Sequence, residues 1–369
     1  MSELPFDPIQ LMREHPEKLE FPGGLLSKKG AQAYVGSVPA IAGTLFFADA
    51  HEPAIREAIC DCFDEFKDVA GEHLTWLFRE DPPEGRSAGK LAYENAKPMR
   101  TLMASLEEDD AVSFHYTSGK RDKDAGPWEF QAFGLPSWRA KAGGWGLSGL
   151  RFSFPLLYVE ENPAAFQTMF VSFAQRLQAI HGYGGYSLIL SATKYDENQA
   201  FEAVIASNML GYDAGALVSG AVNAHTGLKT VSWLTAVNYE LLEKVGGMGT
   251  LQSELPMDWF AAYDYGSGIV IQSGPKPNAA PTEESGIKPA LLVLPDMLFK
   301  PLRAPQVRLH YASAESEFRL IGLAAEEWLQ RFDIDEGKLL DYKAQLLREP
   351  KLTPESVLPP KKRTGPKMR

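Results

Sequence analysis

A chain of 369 residues, 44% hydrophobic and 23% charged, has an ordinary globular composition, and its 11% of aromatic residues excludes general disorder. Its net charge of −11 argues against a nucleic-acid binder, which needs a basic face to neutralise phosphates; it fits an ordinary acidic protein or one with a basic partner. No run of about 18 apolar residues and no charged-then-apolar leader occur, so neither a membrane span nor export is expected, and a cytoplasmic location follows.

Residues 1–23 are polar and broken by prolines, and are expected to wrap the surface as an N-terminal extension. Ala40 to Ala48 reads as a strand. Pro53 suits the first turn of a helix, with Asp49 as its expected cap. That helix places Ile55, Ala58, Ile59, Cys62, Phe63 and Phe66 on one side and Asp61, Asp64, Glu65 and Asp68 on the other. Cys60 and Cys62 stand two apart on it and do not face each other, so no bridge is expected and a reducing compartment fits. His73 to Phe78 reads as a strand with Leu74, Trp76 and Phe78 on one face. A loop over Asp81 to Arg86 and a helix over Lys97 to Leu106 follow. The run Glu107-Glu108-Asp109-Asp110 opposes a helix dipole and predicts a solvated turn.

Ala111 to Tyr116 and Trp128 to Phe133 read as a hairpin, and Arg151 to Val159 as a long strand. Asn162-Pro163 opens a helix through Phe166, Phe170, Phe173 and Leu177, which Gly182 to Gly185 should end before a strand at Tyr186 to Leu190. This strand–acidic turn–proline–helix–strand order repeats the one at residues 40–78, and suggests two similar lobes. Glu197 to Leu210 reads as a helix and Gly211 to Leu228 as a region of small residues. Next, Val231 and Trp233 alternate with small polar residues as in a strand. Thr235 is the expected cap of a helix carrying Leu241, Leu242 and Val245, stopped by Gly246-Gly247. Trp259 and Ile269 to Ile271 return as strands that end at Gly274-Pro275.

Lys229-Thr230-Val231-Ser232-Trp233-Leu234-Thr235, with Leu241-Leu242 and Gly246-Gly247, resembles the signature of a bacterial immunity family that accompanies VRR-type and restriction-endonuclease-like nuclease toxins of type VI secretion. Gly268 to Pro277 and the run ending Pro301-Leu302-Arg303 are similar to it too, so the resemblance covers residues 125–305. Where the family has a Gly-Asp pair, this chain has Asn278-Ala279-Ala280-Pro281. The resemblance implies a cytoplasmic protein that holds a nuclease effector and protects the producing cell.

Thr282 to Gly286 reads as an exposed loop carrying Glu283 and Glu284. Helices are expected within Pro289 to Phe299, at Glu326 to Phe332 and at Lys338 to Leu347. The tail after Arg348 is basic and rich in proline, ends Lys361-Lys362-Arg363, and is expected to be loose.

Catalytic patterns are few. No two of the seven histidines stand at i, i+4 on one helix, and neither cysteine has zinc-ligand spacing to a histidine. Gly144 to Gly149 matches G-x-G-x-x-G, but a strand follows where a dinucleotide site needs a helix. Glu160 with Glu161, or Asp258 with Asp264, could pair for hydrolysis, although neighbours on a strand point to opposite faces. Trp128, Trp138 and Trp145 with Arg139 and Lys141 could stack bases, or could simply pack a sheet.

The expected fold is α+β, with mixed or antiparallel sheets flanked by helices. Two similar α/β lobes (24–140 and 141–345) form a domain over 24–345, and 346–369 is a basic tail. The expected function is inhibition by binding a nuclease toxin, without catalysis, cofactor, metal, membrane or direct nucleic-acid contact. The expected partner-binding residues are Glu107, Glu108, Asp109, Asp110, Glu283 and Glu284. The alternatives are a hydrolase using a carboxylate pair, and an adaptor or structural part of a secretion assembly.

Overall fold

The computed structural model describes residues 8–80, 89–142, 146–282, 286–312 and 318–359. In them one antiparallel sheet holds β1 (Phe21–Gly23), β2 (Gln32–Phe47), β3 (Trp76–Phe78), β4 (Leu91–Ala92), β5 (Val112–Thr117) and β6 (Glu129–Gly134). It also holds β7 (Ser148–Pro155), β8 (His181–Leu190), β9 (Leu234–Asn238), β10 (Phe260–Asp264) and β11 (Gly268–Ser273). The strand order is β10-β11-β9-β8-β2-β7-β6-β5-β3-β4, with β1 on β2. β2 is the axis: it pairs with β7 over Ala40 to Phe47 and with β8 over Ser37 to Phe46. A strand of residues 24–140 thus lies between two strands of residues 141–345, in a sheet common to both stretches.

The helices of the first half are α1 (Pro8–Glu14), α2 (Pro53–Ala70), α3 (Met99–Ala104), α4 (Ser137–Ala142), α5 (Leu156–Glu161) and α6 (Pro163–Arg176). Those of the second are α7 (Tyr195–Asn208), α8 (Leu217–Ala224), α9 (Tyr239–Glu243), α10 (Gly247–Glu254), α11 (Ala290–Phe299), α12 (Leu323–Leu329) and α13 (Leu339–Gln345). This is the expected α+β fold, a large antiparallel sheet flanked by helices.

The repeated strand–helix–strand order has a geometric consequence. Because every neighbouring pair is antiparallel, β2 runs parallel to β3, and β7 runs parallel to β8. The two crossovers start on antiparallel strands and move in opposite directions across the sheet. A right-handed turn in both therefore puts α2 and α6 on the same face. There they share one core with the sheet, where Phe66 meets Phe154 and Phe173 meets Phe152, with ring centroids 5.9 and 4.9 Å apart. The spans differ, since β2 to β3 passes three strands and β7 to β8 passes only β2.

Alternation along each strand sends Phe114, Phe130, Leu150, Phe152 and Leu45 into that core. Gly43 and Gly184 keep the floor low enough for the rings of α6. A Cβ on Gly43 would lie 2.8 Å from both Phe152 and Phe170, and one on Gly184 3.2 Å from Phe166 and Phe170. A second core joins β9, β10 and β11 to α9, α10, α11 and α13.

Several local expectations are corrected. Gly182 to Gly185 do not end α6, which stops at Arg176; they lie inside β8, where a Cβ would meet Thr44 and Leu45 of β2 at Gly182, Phe166 and Phe170 of α6 at Gly184, and Ser232 at Gly185. The strand expected over 151–159 turns into α5 after Pro155. Between β3's neighbours it is Leu77 that is buried, at 1% exposure, while Trp76 and Phe78 are only half-buried. Asp49 is not the cap of α2: it takes a left-handed turn, φ 57°, and Glu52 holds the cap position. Thr235 caps nothing either. It is buried in β9 with its hydroxyl on Ser232, and Asn238 caps α9 by accepting from the Leu241 amide at 2.9 Å.

At the ends of the chain, residues 21–23 form β1 rather than a fringe. The tail just after Arg348 is tied down. Leu352 N–H donates to Asp258 O at 2.8 Å, the Ser356 carbonyl accepts from Gln167 and Gln272, and Leu358 N–H donates to Tyr263 Oη at 3.2 Å.

Candidate functional site

The acidic run 107–110 lies between α3 and β5, at the end of the sheet where β2 and β6 finish. It is a turn held from beneath by Arg56 of α2, which is 9% exposed. Its Nη1 donates to Leu106 O at 2.8 Å, and its Nη2 to Glu107 O at 2.7 Å and Asp110 O at 3.2 Å. Burial lowers the pKa of this guanidinium, while Asp110 and Glu108 oppose the shift. Asp110 closes the turn by accepting from the Glu107 amide at 2.7 Å.

The helix α4 clamps the outer side. Ser137 Oγ donates to Asp109 Oδ1 at 2.6 Å, Ser137 N–H donates to Glu108 O at 3.1 Å, and Lys141 Nζ meets Glu108 Oε1 at 2.6 Å. The Lys141 contact holds the Glu108 carboxyl below its ordinary range. Glu107, Glu108 and Asp109 are exposed and Asp110 is half-buried. One residue along α4, Trp138 is 52% exposed with the Arg139 guanidinium 5.0 Å from its ring centroid. Fixed carboxylates thus stand beside an exposed indole, a pairing suited to a basic protein surface. Glu283 and Glu284, expected to join them, lie outside the described residues.

The face of the sheet opposite the aromatic core carries a polar row that sequence reasoning missed. Register puts His115, Gln131, Arg151, Thr44, Tyr183 and Thr235 side by side across six strands. Glu129 Oε2 lies 2.9 Å from His115 Nε2, and its Oε1 lies 3.4 Å from Arg151 Nε. Arg151 also reaches Asp213 at 3.5 Å and donates to Ser187 Oγ at 2.6 Å. Lys229 completes the chain at 2.6 Å from Asp213. Burial alone would raise the Glu129 carboxyl, but His115 and Arg151 outweigh it and hold it low. Burial likewise works to lower Arg151 and Lys229, and their acidic neighbours outweigh it. The available signal was Arg151 itself, a charge between Leu150 and Phe152 in a strand buried on both faces.

A cleft of about 550 Å³ opens over the His115 end of this row. Glu80, Glu129, Asp196, Glu197 and Glu202 line it, against Arg151 and Lys194. The acidic surplus suits a cationic side chain and disfavours phosphate.

The other candidates separate. Glu160 and Glu161 lie on α5, not a strand, and pair with different cations, Lys276 at 3.2 Å and Arg13 at 3.1 Å. Asp258 pairs with Lys351 at 2.7 Å, and Asp264 accepts from the Gly266 amide. Trp128 is buried and stacks on His73 at 4.9 Å, away from Trp138's solvent face, and Trp145 lies outside the described residues, as do Gly144 and the loop from Asp81 to Arg86. Among the described residues no three His, Cys, Asp or Glu side chains are grouped to hold a metal ion, and no helix is long and apolar enough to cross a membrane.

Residues 58–332 match the profile of the family TsiV, described as type VI immunity for VRR-NUC. Among solved structures, the chain is similar to the Pseudomonas aeruginosa T6SS protein PA0821, with 42% identity and a TM-score of 0.88 over 97% of this chain and 99% of that one. No curated protein matches the chain.

Proposed function

The chain belongs to the TsiV family of type VI immunity for VRR-NUC, and from that membership we propose that it neutralises a cognate nuclease toxin by binding it and covering its DNA cleft. It performs no reaction of its own and acts in the cytoplasm of the cell that makes it. The observation that carries the reading is the acidic turn held by Arg56 beside the exposed Trp138. A DNA cleft must be basic to hold phosphates, so the exposed carboxylates of Glu107, Glu108 and Asp109 compete for the same lysines and arginines. Preorganisation by Arg56 and α4 lowers the ordering cost of binding. Trp138 supplies the apolar anchor that charges alone lack. Neutralising a lethal enzyme asks for a nanomolar complex, about −12 kcal/mol, typically over roughly 1,600 Å² of interface.

The test uses purified toxin, labelled DNA and the full chain. Stoichiometric inhibition with DNA and the chain competing for the toxin is the expected result. A stable ternary complex of toxin, chain and DNA overturns the cleft-covering mechanism, and no complex at all overturns the immunity reading.

A further inference from the structure

Two arginines near α12 are buried and, among the described residues, form no ion pair. Arg331 is 8% exposed and Arg319 7%. Arg331 donates to Leu210 O at 2.7 Å, Trp328 O at 3.0 Å and Thr230 Oγ1 at 2.7 Å, and its guanidinium carbon lies 3.6 Å from the Trp328 ring centroid. Arg319 donates to Asp196 O at 2.7 Å, to Tyr311 O at 3.1 Å and to Gln199 Oε1. Every one of these acceptors is neutral. Burial pushes Arg331 down to about 9 and also lowers Arg319. Of the carboxylates that act on them, Asp213 is committed to Lys229 and Arg151 and Asp296 to Arg303, while Asp196 opposes the burial shift of Arg319 from outside ion-pair distance.

Both arginines line a cavity of about 440 Å³, together with Leu210, Phe318, Ala324, Trp328 and a single carboxylate, Glu327, so the two guanidiniums leave it a net positive charge. Phe318 at the cavity is 60% exposed, and Ile321 and Leu323, sequence neighbours of the lining residues Leu320 and Ala324, are 42% and 69% exposed. A buried cation without a counter-charge is costly, and a cluster of exposed apolar side chains marks interaction surfaces. A carboxylate entering the cavity would meet guanidinium donors, and its apolar neighbours would cover Phe318 and Leu323.

We propose that this cavity is a second docking point for the toxin, taking an acidic side chain flanked by large apolar residues. The inference rests on the immunity reading above. Its sign is opposite to that of the 107–110 turn, so the two contacts together fix one orientation of the partner and reject the reverse one.

Titration calorimetry of purified toxin against the full chain tests it, with Phe318→Asp beside Phe318→Lys and Leu323→Asp beside Leu323→Lys. Both positions are exposed, and two pairs keep a folding defect at one from deciding the result. Each Asp variant should raise Kd at least about tenfold and each Lys variant less than about threefold, because only the former repels an acidic occupant. Equal losses for Asp and Lys overturn the acidic occupant, and unchanged binding in all four overturns the docking point. If the unaltered chain itself fails to bind, the immunity reading fails and takes this inference with it.

Discussion

Arg56 donates its Nη2 to the Glu107 carbonyl at 2.7 Å, joining a helix of the aromatic core to the acidic surface turn. The positive side chain binds the backbone carbonyls of the turn, while Lys141 and Ser137 of α4 hold the exposed carboxylates of Glu108 and Asp109. Replacing Arg56 by Ala strands the carbonyls of Leu106, Glu107 and Asp110 and leaves a void under the turn. The expected loss is about 3 kcal/mol of stability, read from guanidinium denaturation with an unchanged m-value.

Charge reversal on the turn acts on rate rather than fold. Glu107→Lys with Glu108→Lys should slow association with the toxin by roughly tenfold at low salt and flatten its salt dependence. Stopped-flow measurements from low to high ionic strength check this. Unchanged association rates remove the turn from the mechanism.

His181 predicts a pH dependence. The ring is 2% exposed, its Nε2 donates to Ala224 O at 2.7 Å, and burial pushes its pKa down from 6.5 to about 4. The unfolded chain therefore takes up this proton first as pH falls. The neutral ring's contribution to stability is complete above about pH 6.5 and is lost progressively down to about pH 4, on the order of 3 kcal/mol. His181→Asn should flatten this part of the stability profile, measured by denaturation at a series of pH values. An unchanged slope assigns the effect to other groups.

Gly43→Ala tests the close approach of α6 to the sheet. A methyl group 2.8 Å from the Phe152 and Phe170 rings forces both to move, at a cost of about 1–3 kcal/mol. Gly184→Ala, at 3.2 Å, should cost less. Thermal unfolding of the two variants side by side gives the order, and the reverse order contradicts the packing described.

Much of this architecture can be read from residue pattern. Phe166, Phe170 and Phe173 have helical spacing and a proline before them, and α6 forms there. The Glu107 to Asp110 run opposes a helix dipole and becomes a turn. What pattern misreads is burial without periodicity. Val231 and Trp233 look like a strand because they alternate, yet they lie in buried chain just before β9, which begins at Leu234. Gly182 to Gly185 read as a helix stop because glycine favours left-handed turns. Their actual reason is close tertiary approach, of Leu45 at Gly182, of Phe166 and Phe170 at Gly184 and of Ser232 at Gly185, which no local signal reveals. The surface itself was half legible. The acids stand out in sequence, but Trp138 reads like any core aromatic, and Arg56 looks like a solvated helix residue until the turn it holds, 50 residues away, is known.

The position of β2 at the middle of the sheet sets the order of events during synthesis. Its flanking neighbours over Ser37 to Phe47, β7 and β8, are both encoded after residue 147, so that long apolar stretch leaves the ribosome with only the short β1 pairing its first residues. Such a nascent segment is a target for chaperones and a risk for aggregation. A half-made copy has no central ladder and gives its cell no defence, so protection against a neighbour's attack depends on a standing stock of finished molecules.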